Sequence, residues 1–206
     1  MATHRRRRRR RVPRIIPFLL LAICGVLFFR WSNRSLQIEA FTYASPRLPE
    51  GFDGCTIVQL SDLHGASFGE DNAELIAAVA AQDPDLIFLT GDIQDRYRKT
   101  PASYTAAIGR AMAGIAPTYF VTGNHEWAFP DVRELKRSLK DAGVTVLTNE
   151  FVALERDGGV IFLAGIDDPN GFADQKSPEA LAEEVKAAAG GGFWMLLAHR
   201  NNYFEK

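Results

Sequence analysis

Residues 85–95 read Asp-Leu-Ile-Phe-Leu-Thr-Gly-Asp-Ile-Gln-Asp, a short apolar run that ends in a glycine and two carboxylates. An uninterrupted apolar run of this length predicts a strand that is buried on both faces, as in a parallel sheet covered by helices. The same order, an apolar strand followed directly by polar residues, recurs along the chain. This recurrence predicts both the fold class and the position of a functional site.

Seven apolar segments predict buried strands, and four segments rich in alanine and leucine predict helices. We expect the strands at 55–60, 85–90, 118–122, 144–147, 151–154, 160–164 and 193–198, and the helices at 72–81, 104–112, 132–142 and 178–189. A loosely alternating segment at 36–43 predicts a leading strand. Strands that alternate with helices indicate a layered α/β domain with a largely parallel sheet. The turn at 155–159 (Glu-Arg-Asp-Gly-Gly) joins two strands as a hairpin, which predicts a mixed sheet.

Polar clusters follow four of the predicted strands. They occupy 61–65 (Ser-Asp-Leu-His-Gly), 90–95 (Thr-Gly-Asp-Ile-Gln-Asp), 122–126 (Thr-Gly-Asn-His-Glu) and 198–200 (Ala-His-Arg). In open α/β sheets, ligands bind beyond the carboxyl ends of the strands, so we expect all four clusters at one rim. Three of the four histidines, His64, His125 and His199, belong to these clusters. Aspartate, histidine and asparagine without cysteine suit borderline or hard divalent cations such as Mn, Fe or Zn, which predicts a metal site.

The overall charge conceals an uneven distribution along the chain. The sequence has 24 Lys+Arg and 25 Asp+Glu in 206 residues, a net charge of −1. Residues 1–34 contain ten arginines and no acid, so the other 172 residues have 14 basic and 25 acidic groups, a net of −11. With 47% hydrophobic and 24% charged residues, a disordered or collagen-like chain is excluded. Two cysteines are too few for a disulfide scaffold or a cysteine-based zinc module.

The N-terminal region predicts a membrane anchor. Residues 15–29 are fifteen uncharged residues after an arginine run, about 22 Å as a helix against a core of roughly 30 Å. Counting 12–31 closes this gap, because flanking arginines can extend their charges to the interface. A cleaved signal peptide remains an alternative. The arginines predict a cytoplasmic N-terminus with the domain on the outer face, and a nucleic-acid partner is not expected.

The ordered motifs resemble those of the calcineurin-like metallophosphoesterases. The resemblance covers about residues 36–206 and rests on the clusters described above. Ser-Asp-Leu-His at 61–64 and Leu-Ala-Gly-Ile-Asp-Asp-Pro at 163–169 are similar to a membrane-associated bacterial branch that includes UDP-diacylglucosamine pyrophosphatase-like enzymes. The resemblance implies a four-layer α/β/β/α sandwich with mixed sheets. The expected organisation is a basic tail at 1–11, a transmembrane anchor at 12–31, a linker with the leading strand at 32–51 and the phosphoesterase domain at 52–206.

The resemblance also implies two divalent metal ions (Mn, Fe or Zn), five ligands and two catalytic residues. Asp62, His64 and Asp92 would hold one metal. Asp92 would bridge to the second, which Asn124 and His199 would also bind. His125 would act at the leaving group, oriented by Asp95, while Glu126 would support the motif. The implied reaction is attack by metal-activated hydroxide on a phosphoester or pyrophosphate bond. Its substrate would be a phosphorylated small molecule or a lipid-linked molecule such as a UDP-diacylglucosamine-like one.

One motif of the family is not found in this sequence. The family has a further Gly-His-x-His block after the histidine that His199 matches, whereas the sequence ends at Lys206. We expect a fragment of a longer enzyme, and the alternative is a degenerate, non-catalytic membrane-tethered module. The sequence does not decide whether Arg200 contacts phosphate or forms a surface salt bridge. Residues 169–175 could likewise be a substrate-side loop or a surface turn.

Overall fold

A computed structural model describes residues 15–32, 35–171 and 175–200 of the chain. The contacts divide the chain into one unit that ends at Glu39 and a second unit that begins at Ala40. The first unit contains helix α1 (Ile15–Ser32). The predicted tail at 1–11 lies outside the described residues, and the predicted boundaries at 31 and 51 remain predictions.

Helix α1 corresponds to the predicted membrane anchor. Among the described residues, no helix has both the length and the apolar character needed to cross a bilayer. The predicted span over 12–31 is therefore not supported. Residues 12–14 lie outside the described part, and the uncharged stretch alone, at about 1.5 Å per residue, is shorter than the hydrocarbon core of roughly 30 Å.

The first sheet of the second unit is parallel throughout. Its strands are β1 (Ile57–Leu60), β2 (Leu86–Leu89), β3 (Thr118–Phe120) and β4 (Thr145–Val146), in the spatial order β1-β2-β3-β4. Every residue of β2 is buried, as its continuous apolar run predicts. Because all four strands run the same way, the loops after them lie at one edge of the sheet.

The second sheet is mixed. It contains β5 (Glu150–Arg156), β6 (Gly159–Gly165) and β7 (Trp194–Leu197), with β5 antiparallel and β7 parallel to β6. The turn between β5 and β6 consists of Asp157 (φ 48°) and Gly158 (φ 79°). Two successive positive φ values characterise the tight turn that suits a two-residue hairpin. The predicted hairpin is therefore present.

Helices cover the outer faces of the two sheets. They are α2 (Ala73–Ala80), α3 (Ala102–Ala113), α4 (Val132–Asp141) and α5 (Pro178–Ala189), and short 3₁₀ turns occur at Glu50–Phe52, Glu70–Asn72 and Glu126–Ala128. The sheets share a core that includes Phe88, Leu163 and Leu197. On the far side of the second sheet, Leu181 and Val185 of α5 form another core, while α3 and α4 contact β3 and β4. The predicted layered α/β domain is thus confirmed.

The prediction of a leading strand at 36–43 is wrong. Within the described part of the chain, residues 35–44 form no helix or strand. The side chain of Phe41 is 89% exposed and that of Tyr43 is 73% exposed. Alternation of apolar residues gives a strand only where a neighbouring strand satisfies the backbone N–H and C=O groups, and this segment has no such partner among the described residues.

Candidate metal centre

Four loops meet at the carboxyl ends of the strands. The loops after β1, β2 and β3 adjoin because these strands are parallel neighbours. The fourth loop comes from the other sheet, after β7, where Nδ1 of His199 lies 2.9 Å from the carbonyl oxygen of Thr90. The two sheets therefore contribute to one site, as the positions of the polar clusters predict.

Backbone hydrogen bonds join the loop after β1 to the loop after β2. The amide of Asp62 donates to the carbonyl of Gly91 (3.1 Å), and the amide of His64 donates to that of Asp92 (2.9 Å). Asp62, His64 and Asp92 have φ values of 56°, 48° and 52°. This left-handed region is unfavourable for residues other than glycine, and such strain persists where the surroundings fix it and is concentrated at functional sites.

Glycine is required where the loops after β2 and β3 approach each other. Gly91 has a φ of 91°, and a Cβ atom there would overlap the backbone nitrogen of Gly123. A Cβ on Gly123 would in turn overlap the carboxylate of Asp92. Neither backbone segment can move away without displacing the other, so these two glycines permit the close approach.

The buried side chain of Glu126 connects the loops after β2 and β3. Its side chain is fully buried. Oε2 accepts hydrogen bonds from the amides of Asp92 and Gly123, both at 2.8 Å, and Oε1 accepts one from the amide of Gln94 at 3.1 Å. Burial raises the pKa of this carboxyl, and the charge of Asp92 raises it further, although the three N–H donors act in the opposite direction. Glu126 thus contacts loop backbone from a buried position.

Asp92 is at the centre of the site. Its Oδ2 lies 3.5 Å from Nε2 of His199 and 3.9 Å from Nε2 of both His64 and His125. Its Oδ1 accepts a hydrogen bond of 2.8 Å from the amide of His125. Burial would raise the pKa of Asp92, but the contact with His199, the amide of His125 and the charges of both imidazoles outweigh burial and lower it. One buried carboxylate therefore faces three imidazoles.

His199 is fixed at both ring nitrogens. The contact with Asp92 raises the pKa of His199 to about 9, in spite of opposing desolvation. The carbonyl of Thr90 accepts the hydrogen bond from Nδ1, so Nε2 faces Asp92. A backbone carbonyl on one nitrogen orients the other nitrogen of many metal-binding histidines in the same way.

The residues present fit divalent cations. Single ligand atoms from Asp62, His64 and Asp92 lie within 4.8 Å of one another, as do those from His64, Asp95 and His125. Two ligand atoms that bind the same cation, each at about 2.1 Å, lie roughly 3–4 Å from each other. The distances between Oδ2 of Asp92 and the histidine nitrogens fall in this range. Nδ1 of His64 is buried and has no hydrogen-bond partner among the described residues. The oxygen and nitrogen donors suit Mn, Fe or Zn.

His125 has a defined tautomer. The backbone amide of Arg96 donates to Nδ1 of His125 at 3.2 Å, so the neutral ring has its proton on Nε2, the nitrogen on the side of Asp92. Oδ1 of Asp95 lies 3.4 Å from Nδ1, beyond a normal hydrogen bond. Direct orientation of His125 thus comes from the backbone of Arg96, and Asp95 contributes negative charge nearby.

The remaining predicted ligands are Asp62 and Asn124. Asp62 is the most open of the acids, with 57% of its side chain exposed, and Oδ1 lies 3.5 Å from Nε2 of His64. Asn124 is half-buried between Gly123 and His125 on the loop after β3. Both residues therefore lie on loops that contact Asp92.

Sequence reasoning missed two buried acids beside this cluster. Asp168, whose side chain is fully buried, accepts hydrogen bonds from Nε (2.6 Å) and Nη2 (3.1 Å) of Arg200. Asp167 accepts hydrogen bonds from Lys136 (2.6 Å) and Thr122 (2.7 Å). These acids follow β6, so the rule that polar residues gather after strands would have found them. Arg200 thus forms a salt bridge, and its partner is a buried aspartate.

The segment predicted as a substrate-side loop, 169–175, is only partly described. Residues 172–174 lie outside the described part. Gly171 is buried, and a Cβ there would meet side-chain atoms of Trp127 and Gln175.

The chain belongs to the calcineurin-like phosphoesterase family, whose model matches residues 55–205. It is 37% identical over 116 residues to the uncharacterized metallophosphoesterase YkoQ of Bacillus subtilis, covering 54% of this chain and 43% of that protein. It is 28% identical over 165 residues to a transmembrane protein with metallophosphoesterase domain from Danio rerio, covering 78% of this chain and 37% of that protein. The chain thus spans less than half the length of these relatives.

A solved structure shows the same fold. NAD nucleotidase from Haemophilus influenzae superposes with a TM-score of 0.50 at 17% identity, covering 73% of this chain and 35% of that protein. At this identity the match concerns the fold alone.

Proposed function

We propose that the chain is a metal-dependent hydrolase of phosphoester or pyrophosphate bonds. The observation that carries the proposal is the position of Asp92, a buried carboxylate with imidazole nitrogens of three histidines within 3.9 Å. When bound, two divalent cations would supply Lewis acidity at the phosphoryl group and make a nucleophilic water available near neutral pH. The family supports this reaction class.

Each residue has a proposed role. Asp62, His64 and Asp92 would hold one cation, and Asp92 would bridge to a second that Asn124 and His199 also bind. His125 would donate a hydrogen bond from Nε2–H to the leaving oxygen, since the amide of Arg96 occupies Nδ1. The carboxylate of Asp95, 3.4 Å from Nδ1, would add negative charge beside the ring of His125.

The experiment that tests this function is hydrolysis of bis(p-nitrophenyl) phosphate with added Mn²⁺. We expect wild-type activity, loss of at least about a hundredfold in Asp92→Asn, and no change in Asp141→Asn, which removes an exposed carboxylate at the end of α4. The expected loss follows from removing a carboxylate that would hold both cations. Equal activity of the wild type and Asp92→Asn would contradict the proposal.

A membrane location and a lipid-linked substrate, such as a UDP-diacylglucosamine-like molecule, are the finer parts of the proposal. The name of the Danio rerio relative supports the location. Apolar side chains of α1 are exposed, with Phe18 at 73% and Leu21 at 71%. The test is sedimentation with vesicles of zwitterionic and anionic lipid. Retention of the whole chain in the supernatant with both vesicle types would exclude the membrane location and leave the hydrolase proposal intact.

A further inference from the structure

A short basic and aromatic loop borders the candidate metal centre. Residues 96–99 read Arg-Tyr-Arg-Lys and are all exposed, while Asp95 before them and Thr100 after them are buried. The amide of Thr100 donates to the carbonyl of Asp95 (3.1 Å), and the amide of Tyr97 donates to Oδ1 of Asp95 (2.8 Å). We call residues 96–99 the basic loop. Its ends are fixed and its side chains reach solvent.

The basic loop contacts both histidines on its side of the centre. The ring of Tyr97 lies edge-on to the ring of His125, with centroids 5.7 Å apart. Nη1 of Arg98 approaches the carbonyl oxygen of His64 at 3.4 Å. The rings of His64 and His125 are themselves 4.6 Å apart. A molecule that reacts beside these two imidazoles would therefore lie close to the basic loop.

Tyr97 presents an aromatic surface in a fixed orientation. Its side chain is 74% exposed. The guanidinium of Arg96 lies 4.5 Å from the centroid of the Tyr97 ring, and its Nη2 donates to the Tyr97 hydroxyl. An aromatic side chain that a neighbour already holds loses little conformational entropy on binding, which favours stacking on a planar ligand.

Arg98 presents a cation beside this ring. Its side chain is 65% exposed, and its Nε lies 3.5 Å from Oδ2 of Asp95. An exposed ion pair at this distance is weak, so the guanidinium can exchange it for a stronger anion. Guanidinium groups bind phosphate and carboxylate through two parallel N–H bonds.

We propose that the basic loop is a substrate-recognition surface for phosphate esters that contain a planar aromatic ring and a second anionic group. The ring packs on Tyr97, and the second anionic group pairs with Arg98 while the scissile phosphate lies at the metal centre. The inference rests on the proposed function, since it assigns the non-reacting part of the same substrate. Phosphate esters without a ring gain nothing from Tyr97.

Binding of three phosphonates that cannot be hydrolysed tests the inference. Isothermal titration calorimetry of the Mn²⁺-loaded full chain compares methylphosphonate, phenylphosphonate and 4-phosphonobenzoate, which successively add a ring and a second anion. We expect phenylphosphonate to bind roughly three- to tenfold more tightly than methylphosphonate, the range for an aromatic contact. The carboxylate of 4-phosphonobenzoate adds about two- to fivefold.

Variants identify the residues responsible. Tyr97→Leu should remove the preference for phenylphosphonate over methylphosphonate, whereas Tyr97→Phe retains it because the ring remains. Arg98→Gln should remove only the additional affinity for 4-phosphonobenzoate. Tyr43→Leu, a change at another exposed tyrosine, controls for loss of apolar surface and should bind all three probes like the wild type.

The outcomes separate the two proposals. Equal wild-type affinity for methylphosphonate and phenylphosphonate, no binding of any probe, or an unchanged preference in Tyr97→Leu would overturn the recognition surface. These measurements need no turnover. If bis(p-nitrophenyl) phosphate is hydrolysed equally by the wild type and Asp92→Asn, the proposed function fails by itself, whatever the phosphonates show.

Discussion

Replacing Glu126 with glutamine should loosen the backbone that holds the candidate metal centre. The carboxylate accepts three N–H donors, two at Oε2 and one at Oε1. A glutamine has one acceptor oxygen, which at the Oε2 position keeps the hydrogen bonds from Asp92 and Gly123. Its NH₂ group then faces the amide of Gln94, and two donors oppose each other inside a buried site.

The magnitude follows from this count of donors. One hydrogen bond to a charged acceptor contributes about 1.5–3 kcal/mol, and one buried amide is left unpaired at a cost of about 1–3 kcal/mol. Burying a neutral amide in place of a charge returns part of this loss. We therefore expect Glu126→Gln to lower the free energy of unfolding by about 1–3 kcal/mol. Glu126→Ala leaves three amides unpaired and should lower it by at least about 3 kcal/mol.

The assay is urea denaturation of the full chain in EDTA, followed by Mn²⁺ titration of the folded variants. Glu134→Gln, at an exposed position of α4, is the matched control and should change stability by less than about 0.5 kcal/mol. Because the amide of Asp92 is one of the three donors, Glu126→Gln should also weaken Mn²⁺ binding. Equal midpoints for the two glutamine variants, together with equal Mn²⁺ affinity, would refute this reasoning.

Four further predictions concern the surroundings of Asp92. The apparent Mn²⁺ affinity of the metal-free chain should rise by up to about tenfold per pH unit between pH 6.5 and 8.5. The reason is that a cation must displace the proton that Asp92 stabilises on His199. A flat pH profile in an indicator competition assay would contradict this. The same raised pKa, to about 9, stabilises the metal-free fold most below pH 6.5, and urea midpoints should fall as the pH approaches 9. Asp168→Asn should lower the free energy of unfolding by about 1–3 kcal/mol and weaken Mn²⁺ binding, because it breaks the ion pair with Arg200, the residue after His199. An unchanged urea midpoint and an unchanged Mn²⁺ affinity would show that this ion pair does not support the site. Gly91→Ala should destabilise the fold by several kcal/mol more than Gly158→Ala. Both glycines have a positive φ, but only the new Cβ atom at position 91 would overlap backbone atoms. Similar melting temperatures of the two variants would show that the loops after β2 and β3 can separate.

The strand-end clusters were predictable because their cause is local. A continuous apolar run such as β2 indicates a buried strand, and parallel strands bring their carboxyl ends to one edge. The contacts of Asp92 with the loops after β1 and β3 follow from this rule. The approach of His199 from the second sheet also follows, once the sheets pack face to face.

The ion pairs and hydrogen bonds that hold these loops in place were not predictable, because they join residues distant in sequence. Burial of Asp168 against Arg200 requires β6 and β7 to be neighbours, which periodicity does not show. The backbone contact of Arg96 with His125 depends on how the chain turns after Asp95. The failed strand at 36–43 has the same origin, since a strand needs a partner that its own sequence does not specify.

The charges at the rim show which acids are compensated by the protein itself. Asp167 pairs with Lys136, Asp168 pairs with Arg200, and Glu126 accepts three amide hydrogen bonds. Asp92 instead faces imidazoles, which can be neutral ligands as well as cations. A bound cation would compensate Asp92 and would stabilise the fold by mass action, about 2.7 kcal/mol at a hundred times its dissociation constant. The net charge of −11 in residues 35–206 therefore includes carboxylates that serve structure and others whose counterions we expect to be the metals.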